Sequence, residues 1–346
     1  MALLLFDGFD HYGTGASVPA FIAGKWTAAA GNFYAIRATP ARTGNSLEIQ
    51  AASSNLTKLL PTPGDVFIVG FALYREANPQ ATTVLLGFYE SATLHVALHL
   101  DPTTGFFIVK RGTTTLATAT DHSIASLGWY YVEIKVVIHD TTGSVELRVD
   151  EEPVTFNVSL ATGDTRNSGT GVVDRITFNG GSAGQDVYLD DLYVCDDAGS
   201  TANTFLGICT VETLLPSLGN GDHADFTPLT ATDHGAMVDD NPPDGATTYN
   251  ASATVGHRDT YHYPSLTGTG TILGVQTHLY VSKSDVGAKT VAPLVRTGST
   301  TYAGTAVAPS TTFGYLTELR AVNPQTGVAW TAADIAGLQA GLEVIS

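Results

Sequence analysis

The run Trp129-Tyr130-Tyr131-Val132-Glu133-Ile134-Lys135-Val136-Val137-Ile138 places Tyr130, Val132, Ile134, Val136 and Ile138 on one side and Trp129, Tyr131, Glu133, Lys135 and Val137 on the other. Strict period two with one wholly apolar side is a β-strand laid on a core. His139-Asp140-Thr141-Thr142-Gly143 supplies turn chemistry, after which Val145, Leu147 and Val149 alternate with Glu146, Arg148 and Asp150. The stretch predicts a hairpin with one buried face.

Similar runs lie outward from it at Val66 to Tyr74, Thr83 to Tyr89, Leu94 to Leu100, Phe106 to Lys110 and Asp186 to Val194, joined by connectors rich in Gly, Pro, Asn and Asp. Many short strands with no helix between them predict an antiparallel sandwich or jelly roll and disfavour a doubly wound α/β fold. Charged residues make up only 14% of the 346, and 36 are Gly, which suits strands and tight turns better than amphipathic helices.

After Val194, the run from Cys195 to Asn203 has no large apolar residue. It predicts a first domain over 1–198, a linker over 199–203 and a smaller second β-sandwich domain over 204–346. The second domain begins irregularly, with Pro216, Pro228 and Asn241-Pro242-Pro243-Asp244-Gly245, before strands at Thr271 to Ser282 and Lys289 to Arg296. One short C-terminal helix is expected from Thr331 to Leu342: Thr331 caps a first turn containing Asp334, and Ile335, Leu338 and Leu342 follow at helical spacing, weakened by Gly337 and Gly341.

A formal charge of −17, from 33 acidic and 16 basic residues, repels nucleic acid, and Lys110-Arg111 is the one adjacent basic pair. No apolar run reaches the length of a membrane span, and Met1 to Phe6, lacking a basic flank, is expected to be a first strand rather than a signal peptide. Cys195 and Cys209 cannot alone complete a tetrahedral zinc site. They are expected as unpaired thiols, with a disulfide between them as the alternative.

The opening Leu4-Leu5-Phe6-Asp7-Gly8-Phe9-Asp10-His11-Tyr12, the 128–150 hairpin and the closing Tyr188-Leu189-Asp190-Asp191-Leu192-Tyr193-Val194 resemble concanavalin A-like, laminin G-like jelly rolls. Across the join, Phe205-Leu206-Gly207, Val211-Glu212-Thr213-Leu214-Leu215-Pro216, Asp239, Pro242 to Tyr249 and Asn323 to Thr331 resemble a family of tailed-bacteriophage structural proteins. That resemblance implies a virion component made in the host cytoplasm, in tail, fibre or capsid decoration. Its implied partners are other virion proteins and copies of itself in a symmetric assembly.

Candidate chemistry is sparse. Laminarinase-type members of the jelly-roll superfamily carry Glu-x-Asp-x-x-Glu or a similar spacing on one strand. The nearest segment, Glu146 to Glu152, reads as a solvated outer face. Ser, His and Asp are all present, but a triad can be picked at will from a chain this long, so the signal is negligible. His223, His234, His257 and His262 near Asp222, Asp225, Asp233 and Asp259 match no zinc spacing and are expected to make ordinary loop hydrogen bonds.

No cofactor is expected; the metal weighed is calcium, with Asp7, Asp10, Asp190 and Asp191 as its candidate ligands at the sheet ends. Alternation puts Asp190 and Asp191 on opposite faces. Trp129 and Tyr131, on the side away from the aliphatic row, are the candidate glycan-binding or interface residues. The expectation is therefore a non-enzymatic phage virion structural protein working through protein contacts. The alternative is a lectin-like module for host-surface glycans, and a glycoside hydrolase is disfavoured.

Overall fold

The computed structural model describes residues 3–14, 22, 25–30, 34–50, 54–77, 82–180, 186–230 and 232–346, so Met1 and Ala2 of the expected first strand lie outside it. The chain divides into two compact units, Met1–Asp10 with Thr14–Val211 and His11–Gly13 with Glu212–Ser346. The division falls after Val211, not at the expected linker 199–203. The physical reason is hydrogen bonding: the Leu206 and Gly207 amides donate to Glu133 Oε1 at 3.0 and 2.9 Å, and Val211 N donates to Asp191 Oδ1 at 2.7 Å. Burying those amides on the first sheet makes residues 205–211 part of the first unit.

The first unit is an antiparallel two-sheet jelly roll, as the alternation predicts. Its front sheet contains β1 (Leu3–Asp7), β3 (Tyr34–Arg37), β4 (Ser46–Ile49), β6 (Val66–Arg75), β11 (Trp129–Val137), β12 (Ser144–Val149), β13 (Glu152–Pro153) and β15 (Val187–Asp196). They run in the order β13-β12-β11-β6-β15-β4-β3, with β1 also on β15. The back sheet contains β2 (Ala28–Ala30), β5 (Asn55–Gly64), β7 (Thr83–Glu90), β8 (Thr93–Leu100), β9 (Phe107–Arg111), β10 (Thr114–Thr118) and β14 (Val173–Asn179), in the order β10-β9-β8-β7-β14-β5-β2.

Between the sheets lies the core. Val132, Ile134, Val136, Val69, Phe71, Leu86, Phe88, Val96 and Phe178 are all 0% exposed. Phe71 of β6 meets Phe178 of β14 edge to face across the gap, with ring centroids 5.2 Å apart. The hairpin read from sequence pairs in register, Val132 opposite Val149, Ile134 opposite Leu147 and Val136 opposite Val145. Each aliphatic pair faces the back sheet, and full burial of such a side chain stabilises by about 1.5–3 kcal/mol.

In the second unit, β18 (Arg258–His262), β20 (Val291–Thr297), β21 (Thr300–Ala303) and β23 (Gln339–Val344) form one sheet in the order β18-β23-β20-β21. Two-stranded ribbons are made by β16 (Thr227–Pro228) with β17 (Asn250–Ala251), and by β19 (Val275–Val281) with β22 (Gly314–Arg320). Val295, Trp330, Ile335 and Leu338 make its buried cluster.

The expected helix Thr331 to Leu342 is shorter, spanning Ala332–Ala336 (α1). Thr331 and Asp334 form the reciprocal capping box, with Asp334 N donating to Thr331 Oγ1 at 3.2 Å and Thr331 N donating to Asp334 Oδ2 at 2.8 Å. Gly337 ends the helix, and the chain turns directly into β23, where Gly341 lies so close to Asp259 O that a Cβ there would come within 1.8 Å of it. The glycines that weaken a helix here serve a turn and a close strand approach.

Candidate functional site

On β6, alternation sends Leu73 into the core and Tyr74 outward. The register then carries the outward position across four strands: Trp129 opposite Tyr74, Tyr74 opposite Tyr188, and Tyr188 opposite Glu48. The result is one lateral row on the outer face of the front sheet. Tyr74 packs against Trp129 with centroids 5.4 Å apart and meets Tyr188 edge to face at 5.6 Å. Each such aromatic pair contributes about 0.5–1.5 kcal/mol beyond its buried area. Trp129 and Tyr74 are half-buried, so each keeps accessible ring surface.

Beside the rings stands an acidic cluster. Tyr188 Oη is 2.9 Å from Glu48 Oε1 and 2.8 Å from Glu76 Oε1. A phenol has one proton to donate, so both contacts are hydrogen bonds at once only when one carboxyl is protonated and donates back. Arg37 Nε donates to Glu48 Oε2 at 2.7 Å. Burial would raise the Glu48 carboxyl, yet hydrogen bonds from Gln50, Arg37 and Tyr188 hold it below its ordinary value. Asp186 goes the other way: burial, followed by the charges of Glu48 and Glu76, pushes it up to about 6. Asp186 is half-buried and Glu76 exposed, whereas Glu48 is 3% exposed.

Three carboxylates and one guanidinium make the row acidic. Such a face repels anions and suits a neutral polyol, whose hydroxyls pair with carboxylates while its C–H face lies on the rings. The carboxylates sought along one strand come instead from three places: Glu48 on β4, Glu76 just past β6 and Asp186 just before β15. Nothing in the local sequence marks them. Their signal is the strand register, which sequence spacing does not contain.

Trp129 lies in this row as an outward aromatic, but Tyr131 does not share its exposure. Tyr131 is 2% exposed, and its hydroxyl donates to Asp191 O at 3.0 Å. It faces outward as the alternation requires, yet residues 205–211 lie against this part of the sheet. Glu133, also outward, is 0% exposed for the same reason: Tyr193 Oη and the amides of Leu206 and Gly207 all donate to its Oε1.

Asp190 and Asp191 also depart from expectation. The β15–β6 register slips between Asp190 and Tyr193, and Asp191 takes φ +50°. This bulge overrides the alternation and brings both carboxylates to Arg42, whose amide donates to Asp190 Oδ2 at 2.9 Å and whose Nη1 donates to Asp191 Oδ2 at 2.7 Å. Burial and the neighbouring charge raise Asp190, and burial raises Asp191 against the pull of Arg42.

Of the other calcium candidates, Asp7 pairs with Lys25 at 3.1 Å and accepts from Trp26 Nε1 at 3.1 Å and Phe9 N at 3.0 Å. Asp10 Oδ1 accepts from Asn45 N at 2.6 Å. Among the described residues no group of three or more His, Cys, Asp or Glu side chains is placed to hold a metal ion. Cys195 and Cys209 are free thiols. His234 pairs with Asp259 at 2.8 Å, His223 Nε2 lies 3.0 Å from Thr301 Oγ1 and His257 Nδ1 lies 2.9 Å from Ser252 Oγ, so the histidines near one another in sequence are dispersed. No described helix is long and apolar enough to cross a membrane.

A scan against protein-family models matched none, and a search of the curated proteins found no match. Among solved structures, the alginate lyase Aly36B is similar at 14% identity and TM-score 0.40, covering 56% of this chain and 96% of its own. The alginate lyase AlgAT5, of polysaccharide lyase family 7, is similar at 9% identity and TM-score 0.32 over 47% of this chain and 81% of its own. A Trypanosoma rangeli sialidase is similar at 19% identity and TM-score 0.34; the match spans 44% of this chain but only 26% of the sialidase.

At these levels the likeness shows a shared fold alone. The expectation of a non-enzymatic protein is corrected to this extent: the structures with the similar fold include alginate lyases and a sialidase, which are enzymes.

Proposed function

We propose that the first unit is a carbohydrate-active jelly roll whose site is the Trp129–Tyr74–Tyr188 row with Glu48, Glu76 and Asp186, and that its ligand is a neutral glycan. The observation that carries this reading is the direct cross-strand alignment of two accessible rings with a phenol that bridges two carboxylates. Stacking on the rings supplies affinity, and carboxylate-to-hydroxyl bonds supply orientation. The test is binding of the full chain to an array of neutral and anionic glycans, beside Trp129→Ala. The reading expects a neutral ligand whose affinity falls roughly tenfold or more in the variant. No neutral ligand, or a variant that binds like the parent, overturns it.

A second reading is hydrolysis at the same site, favoured by the raised Asp186 carboxyl beside acidic partners. Asp186 would donate a proton to a leaving oxygen, and the exposed Glu76 would act as base or nucleophile. Release of reducing ends from the bound glycan, lost in Asp186→Asn with binding retained, supports it; binding without turnover leaves recognition as the function.

A further inference from the structure

Residues 119–128 join β10 to β11 and lead directly into Trp129. Two residues of this loop other than glycine have left-handed backbone, His122 with φ +54° and Leu127 with φ +64°. That conformation crowds a side chain against its own backbone, and a bulky aliphatic residue rarely adopts it. The left-handed turn falls on Leu127 rather than on Gly128 beside it, which would adopt it at no steric cost.

The loop is fastened at several points. Ile124 is 0% exposed and its amide donates to Gly105 O at 2.9 Å, while Asp121 Oδ1 accepts from Thr155 N at 2.8 Å. Leu127 N donates to Arg75 O at 2.9 Å, which fixes it beside the strand end that carries Tyr74 and then Glu76. Such bonds hold a strained backbone in place. Ile124 is the plug that seats the loop. Leu127 is its opposite, 70% exposed and two residues before Trp129, at the end of the ring row. Packing accounts for Ile124 and leaves Leu127 without a role in the fold.

We propose that Leu127 is a specificity-determining residue of the ring row, an aliphatic ledge for a methyl group on the sugar unit beyond Trp129, carried as an N-acetyl or a 6-deoxy substituent. The inference rests on the reading of the row as a glycan site and narrows the class of its ligand. A sugar edge covered in hydroxyls gains nothing on an aliphatic side chain, because the contact strips water from polar groups without replacing its bonds. A methyl group loses only water that it binds poorly. The rings take the C–H face that both kinds of glycan share, so the choice between them falls to the ledge. A ledge already held in place spends no affinity on being ordered.

The test measures binding of the full chain to two matched pairs of neutral oligosaccharides, triacetylchitotriose against cellotriose and fucosyllactose against its L-galactose analogue. In each pair one member carries the methyl group and the other a hydroxyl-bearing counterpart. The methyl-bearing member of one pair should bind roughly tenfold tighter, and that pair identifies the substituent. Leu127→Asn keeps a residue that accepts left-handed backbone. It should bring the preference close to parity, leave the affinity of the other member unchanged and hold the thermal midpoint at or above the parent's. Equal binding within both pairs, or a preference that survives in Leu127→Asn, overturns the inference, while Trp129→Ala still weakening both members would keep the row a glycan site. Binding of none of the four overturns the inference as well, and the array with Trp129→Ala then judges the row by itself.

Discussion

Tyr188 and Glu48 stand 140 residues apart in sequence, yet the Tyr188 hydroxyl lies 2.9 Å from the Glu48 carboxylate because β15 and β4 pair with these two residues directly opposite. Removing the hydroxyl leaves Glu48 and Glu76 without their shared partner. Tyr188→Phe should therefore weaken glycan binding several-fold while costing about 1–3 kcal/mol of stability, since Glu48 is buried. Binding and urea midpoints measured on the same preparation check both, and a variant unchanged in each would show that the phenol organises nothing.

Glu133 Oε1 holds residues 205–211 on the sheet through the Leu206 and Gly207 amides and accepts a third bond from Tyr193 Oη of β15. Glu133→Ala strands the Tyr193 hydroxyl proton and the Gly207 amide, while Leu206 N keeps its 3.1 Å bond to Tyr193 Oη. The expected cost is about 3 kcal/mol, with faster amide exchange at Leu206 and Gly207 than in the core strands. Limited proteolysis of the wild type should cut within the exposed 197–201 stretch and leave 205–211 attached; release of that segment from the intact protein would contradict the boundary after Val211.

Gly70 faces outward on β6 beneath Tyr193, where an added Cβ would come within 2.1 Å of the ring. Gly70→Ala has to displace Tyr193 and with it the Glu133 bond. A loss of about 1–3 kcal/mol is expected. Tyr193→Ala should relieve it, making the double variant less destabilised than the sum of the two; strict additivity would show that the two sites do not touch in solution.

The pH dependence has a definite sign. Asp186 and Asp190 are both raised in the folded protein, by burial first and then by carboxylate neighbours, with Asp186 at about 6. Unfolded aspartate titrates near 3.9, so the native state holds these protons more tightly. Their stabilising contribution is complete below about pH 4 and is lost as pH rises through about 6 for Asp186, and higher still for Asp190. Comparing urea midpoints from pH 4 to 8 in wild type and in Asp186→Asn and Asp190→Asn isolates it: the wild type should lose stability relative to both variants as pH rises. A difference that stays constant with pH counts against the assignment.

Local alternation was enough to determine the jelly roll. Val132, Ile134 and Val136 against Val145, Leu147 and Val149 announce a hairpin whose inner face the structure buries, because side-chain direction in a strand repeats every two residues and depends on nothing distant. The capping pair Thr331 and Asp334 was equally legible, since a helix cap is made by residues three apart. Tertiary structure decided the rest. Tyr131 and Glu133 point outward as the sequence indicates, but whether an outward side chain meets water depends on what lies over it, and there residues 205–211 do. The bulge at Asp190 and Asp191 breaks the two-residue period that had separated them. The alignment of Trp129, Tyr74, Tyr188 and Glu48 is a product of register among four strands distant in sequence, and register is set by the packing of the whole sandwich rather than by any one strand.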